Sequence, residues 1–164
     1  MSKQHLNIEL KDGVVKIEML RDVAPLHVAR IAELAEAGKY DAVAFHRVID
    51  GFMAQTGDVE HGVVGEDGRC SPRAGTGGSD MENLDAEFSK LPFDRGVCGM
   101  ARAQNPNSAN SQFFIMFDDG HFLNNQYTVW GRVTEGMEHV DAITRGEPPA
   151  SPDQMIKVTV STTD

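Results

Sequence analysis

Two short segments hold most of the residues whose types and spacing could do chemistry. The first, FHRVIDGFMAQ, runs from Phe45 to Gln55. Asp50 and Gly51 form a turn signal inside it, so Arg47 and Gln55 fall on adjacent strands within reach of each other. Such a pair sets a permanent cation beside an amide that can both donate and accept. Taken alone, it fits an exposed strand arginine and a polar turn better than a site. The second segment, GMARAQNPNSANSQFFIMF, spans Gly99 to Phe117. A small-residue strand end leads there into a polar loop and then an aromatic strand. Ala101 and Ala103 would let another backbone approach closely, which suits an extended peptide lying along an edge. A surface loop feeding a core strand has the same pattern, and Phe113 belongs to the core in either case.

Other chemistries find little support. The six histidines (His5, His27, His46, His61, His121, His139) show no HExxH or HxH spacing, so no metal is expected. Ser108 and Ser111 lie in no GxSxG elbow, and the glycine clusters match neither the GxxxxGK[ST] nor the GxGxxG phosphate loop. No cofactor is therefore expected. Cys70 and Cys98 have no CxxC partner and are read as isolated thiols, with a single disulfide as the alternative. No general acid–base pair stands out, which favours a function that needs little covalent chemistry.

The elements that must position these residues follow from periodicity. The chain of 164 residues suits one domain, residues 1–164. Its net charge of −10 argues against tracking nucleic acid phosphates or anionic membrane. The longest apolar run, Phe113 to Phe117, is far too short to span a bilayer, and the first residues form no signal-peptide core. A cytoplasmic location is expected. His5 to Leu10 and Val15 to Met19 alternate around Asp12-Gly13, predicting an antiparallel hairpin. Pro25 opens a helix whose apolar residues recur at helical spacing until Gly38. Strands follow at Ala44 to Val48, Phe52 to Thr56, Val97 to Ala101, Gln112 to Phe117 and Tyr127 to Val133. A second helix is predicted from about Thr134 to Ile143, and a last strand from Met155 to Ser161. Eight short strands and two helices imply a mainly β domain, a closed antiparallel barrel capped by the helices, with a sandwich as the fallback. Glu60 to Lys90 has no clean period and six glycines, and is expected to form ordered loops flanking a groove.

Three blocks together resemble the cyclophilin-type peptidyl-prolyl cis-trans isomerases: FHRVIDGFMAQTGD (Phe45 to Asp58), MARAQNPNSANSQFFI (Met100 to Ile115) and FLNNQYTVWGRVTEGMEHVDAI (Phe122 to Ile143). The resemblance covers the chain almost end to end. It implies the eight-stranded barrel with two helices, and an enzyme that rotates X-Pro bonds in polypeptides and assists their folding. By position, Arg47 would be the catalytic guanidinium. Phe52, Met53, Phe114 and Leu123 would line the pocket for the proline ring. Gln55 and Gln112 would bond substrate backbone, while Ala101, Arg102 and Ala103 flank the residues before proline. Phe122 stands where many eukaryotic members carry Trp, and Tyr127 where they carry His. Both changes resemble bacterial cytosolic members and imply weak cyclosporin binding, because the indole N–H donor is missing. Arg102 replaces a common Asn and would leave catalysis little changed if its backbone makes the contact. The implied partners are proline-containing peptides and unfolded or folding polypeptides, and the implied state is a monomer.

Overall fold

The structure, a computed structural model, describes residues 3–163. Alternating apolar residues build β1 (Lys3–Leu10) and β2 (Gly13–Met19), which bury Leu6, Ile8, Val15 and Ile17 on one face. Helix α1 (Pro25–Glu36) begins with proline in its first turn and ends just before Gly38, whose φ of +74° suits a residue without a side chain. Then come β3 (Val43–Ala44), β4 (Arg47–Ile49) and β5 (Met53–Thr56). After a long irregular segment lie β6 (Val97–Met100), β7 (Phe113–Met116) and β8 (Val129–Glu135). Helix α2 (Met137–Asp141), β9 (Gln154–Met155) and β10 (Lys157–Thr163) finish the described chain.

Eight strands form one antiparallel sheet in the order β10-β1-β2-β8-β6-β7-β5-β4, and β3 pairs with β9 separately. Lys3 stands opposite Thr163 where β1 meets β10. The mainly β fold with two helices agrees with the sequence pattern. The closed barrel does not: the ladder ends at β10 and β4, which do not pair with each other. Part of the reason lies after α2. Gly146 exchanges two hydrogen bonds of 2.8 Å with Val48 and so occupies the outer edge of β4. Pro148, Pro149 and Pro152 then follow, and residues without an N–H cannot extend a ladder.

Two further expectations shift. The predicted strand Ala44 to Val48 breaks at Phe45-His46, where the chain leaves one sheet for the other; β3 pairs with β9 and β4 with β5. The predicted second helix shrinks to five residues, because Glu135 still pairs with Lys16 and Gly136, at φ +86°, breaks the chain before Met137.

The main core lies between the sheet and α1, with Val28, Ile31 and Leu34 set against β10 and β8. A second, smaller core on the other side of β7 gathers Met53, Phe93, Phe114, Met116, Leu123 and Val129. Strand β7 explains the unbroken apolar run in the sequence. Phe113 and Ile115 enter the main core while Phe114 and Met116 enter the smaller one, so both faces are buried. Each such side chain contributes about 1.5–3 kcal/mol relative to an exposed one.

Candidate active site

The smaller core opens to solvent as a cavity of about 130 Å³. That is the size of one side chain rather than of a whole ligand. Met53, Phe114 and Leu123 are buried in its wall, and Phe52 and Tyr127 stand at its sides. Its remaining lining comes from Arg47, Gln55, Ala101 and Arg102. Gly99 makes this wall possible. A Cβ there would lie 2.5 Å from the Phe114 ring and 2.6 Å from the Phe93 ring, which stack at 5.8 Å between centroids. Phe122 does not line the cavity. It lies outside, 71% exposed, with its ring 5.5 Å from that of Phe52.

A second cavity of about 220 Å³ adjoins the first and shares Gln55, Ala101 and Arg102 with it. Its other lining residues are polar or small: Gly75, Thr76, Gly77, Ala103, Ser108, Asn110, Ser111 and Gln112.

A hydrogen-bonded row crosses the boundary between the cavities. The β4–β5 register sets Arg47 opposite Gln55. Arg47 Nη1 donates to Gln55 Oε1 at 3.3 Å, and Arg47 Nε donates to Glu147 Oε1 at 3.1 Å. Gln55 Nε2 donates to Gln112 Oε1 at 3.0 Å. Gln112 Nε2 in turn donates to the carbonyls of Gly75 and Gly77, at 3.0 and 2.9 Å. The guanidinium is thus held from two sides at the mouth of an apolar pocket.

The far wall, residues 57–90, contains no helix or extended strand, and side-chain acceptors hold its backbone. Asp58 is fully buried and accepts from four backbone N–H groups: Glu60 and His61 on one oxygen, Gly75 and Gly77 on the other. Burial alone would raise its pKa, but these donors together outweigh that and hold the carboxyl below its ordinary value. Asn110 Oδ1 accepts from both the N–H and the hydroxyl of Ser79. Glu87 binds the wall to α1 by accepting from the N–H groups of Leu26 and His27, which caps a helix lacking any side-chain cap of its own. Gly75 lies against the ring of His46, a nearly buried histidine whose pKa burial pushes down.

Of the residues singled out in the sequence, nine converge on the smaller cavity, Ala103 and Gln112 fall in its neighbour, and Phe122 sits outside both. Glu147 went unnoticed because nothing local marks it; it lies 100 residues from Arg47 in the chain. Ser108 and Ser111, which belong to no nucleophile motif, both line the second cavity. Both cysteines are free, and burial raises the pKa of each thiol, most strongly that of Cys98. At the surface, ligand atoms of Asp94, Asp119 and His121 lie within 4.8 Å of one another, and His121 Nε2 is 2.6 Å from Asp94 Oδ1.

A pocket walled by Phe52, Met53, Phe114 and Leu123, a guanidinium tied at its mouth and a polar cavity beside it thus form one continuous groove. Comparison with known proteins gives the family. The family described as "Cyclophilin type peptidyl-prolyl cis-trans isomerase/CLD" matches residues 5–162. A Brucella suis protein named "Probable peptidyl-prolyl cis-trans isomerase" is 58% identical over 158 residues, which cover 93% of this chain and 80% of that one. Peptidyl-prolyl cis-trans isomerase B of Bacillus subtilis is 34% identical over 140 residues, covering 84% of this chain and 89% of its own. Among solved structures, a cyclophilin-type isomerase from Cryptosporidium parvum gives a TM-score of 0.84 at 25% identity, with 99% of both chains covered. A cyclophilin from Hirschia baltica gives 0.80 at 28% identity, covering 96% of this chain and 76% of that one. This chain belongs to the cyclophilin-type peptidyl-prolyl cis-trans isomerases. It is an isomerase of X-Pro peptide bonds with the mainly β cyclophilin fold. No helix among the described residues is long and apolar enough to cross a membrane.

Proposed function

We propose that Arg47 drives the reaction by donating to the prolyl nitrogen as the X-Pro bond twists. Amide resonance sets a rotational barrier of about 18–20 kcal/mol, and unaided X-Pro exchange takes tens to hundreds of seconds. Turnover near ~10³ s⁻¹ requires lowering that barrier by about 7 kcal/mol. The nitrogen lone pair is a good acceptor only once conjugation is broken, so a donor aimed at it favours the transition state over either planar isomer. Phe52, Met53, Phe114 and Leu123 grip the ring, with Tyr127 at the side. Gln55, Gln112 and the 101–103 backbone hold the residues before it. The single observation that carries this reading is the hold on Arg47 from Gln55 and Glu147 at the mouth of the apolar cavity.

The substrates are exposed X-Pro bonds in peptides and in folding polypeptides, handled by a single cytoplasmic domain acting as a monomer without cofactor. Cyclosporin binds only weakly, because Phe122 offers no N–H donor. Phe122→Trp is expected to tighten it about fivefold, the worth of one hydrogen bond. Nanomolar inhibition of the unaltered protein in a titration would refute the weak-binding claim.

Exchange NMR on a short Ala-Pro peptide tests the mechanism. The wild type should accelerate exchange strongly. Arg47→Ala, folded by circular dichroism, should lose about a hundredfold in kcat/KM, the usual worth of one aligned transition-state donor. An Arg47→Ala variant within a few-fold of wild type would remove the guanidinium from the mechanism. Peptide binding without acceleration by either protein would favour a peptide-holding chaperone instead.

A further inference from the structure

Arg102 lines both cavities, yet its guanidinium is occupied by the protein's own main chain. Nε and Nη2 donate to Gln126 O at 3.1 and 2.7 Å, while Nη1 donates to Ala103 O at 2.9 Å and Gln104 O at 3.1 Å. These bonds use four of the five N–H donors that an arginine has. The same group lies over Tyr127, with Cζ 4.5 Å from the ring centroid. Tyr127 meets Phe114 edge-on, 5.8 Å between centroids at 86°, and Phe114 is buried in the wall of the apolar pocket. On the other side, the Arg102 peptide sits between two tied neighbours. Ala101 N–H donates to Gln112 O at 3.0 Å and Ala103 N–H to Ser108 Oγ at 2.9 Å.

We infer that Arg102 is a positioning residue whose side chain clamps the 101–104 segment to Gln126 and Tyr127. One clamp sets two dimensions of the groove. It fixes Tyr127 against Phe114, and hence the width of the proline pocket. It also fixes the peptide edge along which the residues before proline lie. The inference rests on the proposed use of this groove for X-Pro substrates, and assigns the side chain a task that the substitution of a common Asn did not suggest. A planar fork is needed, because one group must reach carbonyls on two separate segments and still stack on a ring. Lysine, a point charge on a flexible stem, cannot do all three. With its donors turned onto carbonyls, the group has little left to offer a substrate directly. Its effect therefore passes through the walls it holds.

The test is steady-state kinetics on a tetrapeptide with a central Ala-Pro bond. It compares wild type, Arg102→Ala, Arg102→Lys, Tyr127→Leu and the Arg102→Ala/Tyr127→Leu double variant. Each single variant should raise KM about fivefold, the worth of one cation–π or hydrogen-bond contact, with kcat within about twofold because Arg47 and its partners are untouched. Lysine should not rescue. The double variant should fall short of the product of the two single effects, since both remove the Arg102–Tyr127 contact. An unchanged KM in Arg102→Ala, rescue by lysine, or fully multiplicative effects would each overturn the inference. If Arg102→Ala does not fold, Arg102→Lys carries the comparison. Loss of activity in Arg47→Ala alongside an unchanged KM in Arg102→Ala would refute the clamp alone; failure of the wild type to accelerate exchange would refute the use of the groove.

Discussion

The two walls of the groove are built on opposite principles. The wall around Phe114 is part of a sheet: β7 pairs with β5 and β6, apolar side chains alternate between two cores, and Gly99 leaves room for stacked rings. The wall from Gly57 to Lys90 has almost no ladder. It is held by single polar side chains, chiefly Asp58, Asn110 and Glu87, which collect backbone N–H groups from residues far away in the chain. A sheet spreads its stability over many similar contacts, so one altered contact is partly absorbed. A backbone folded around one buried carboxylate has no such redundancy. The difference predicts where each wall is fragile.

The largest effect should come from Asp58→Asn. The amide keeps one acceptor but turns an NH2 toward two of the four N–H donors, leaving buried donors unmet. The expected loss is about 3 kcal/mol in urea unfolding, with KM raised as Gly75 and Gly77 loosen. A loss under about 1 kcal/mol would mean that the irregular wall is held elsewhere. Next comes Gly99→Ala in the sheet wall. The added Cβ must displace Phe114 or Phe93, an overpacking cost of about 2 kcal/mol. Because Phe114 lines the cavity proposed to take the proline ring, activity should fall with it. Wild-type activity in this variant would show that the ring stack tolerates a shift.

The smallest expected effect is that of mild acid, which should again act on the irregular wall. His27, bonded to Glu87, and His46, lying beneath Gly75, both have pKa values pushed down by burial from the ordinary 6.5. The unfolded chain therefore takes up protons that the folded chain resists. Stability is complete above about pH 6.5 and declines as pH falls through the folded values. Asp58, also held below its ordinary value, extends the decline below about pH 4. His121 has the opposite sign, its pKa raised by the hydrogen bond with Asp94, but it is exposed and well screened. Melting curves should drop a few degrees between pH 7 and pH 5, and His46→Gln should flatten that slope. A slope unchanged in His46→Gln would remove this histidine as a source.

The same contrast explains what could be read from the residues alone. The hairpin at Asp12-Gly13, the helix from Pro25 and the pairing of Arg47 with Gln55 all follow from periodicity and turn chemistry, and each is present. The opening at the barrel seam could not be read, because it depends on Gly146 reaching Val48 and on prolines that interrupt pairing beyond it. The short α2 was missed because a helical period and a strand that continues to Glu135 share the same residues. In the site, the sheet wall was legible as a motif. The irregular wall was legible only as glycine-rich loops beside a groove; the contacts that hold it were not, because Asp58 and Glu87 act on backbone groups, and a backbone N–H leaves no mark in the residue types it comes from. Glu147 was hidden for a related reason: its contact with Arg47 is set wholly by tertiary structure.

The antiparallel match of Lys3 with Thr163 puts the two ends of the described chain on neighbouring strands, about 5 Å apart and away from both cavities. A linker of a few residues could join them. New ends could then be opened at Gly68, an exposed glycine with nothing within 4 Å of where its Cβ would be. Such a circular permutant would keep every strand pairing in register while cutting the irregular wall in two. The order of the chain could then be varied independently of the architecture that holds the groove.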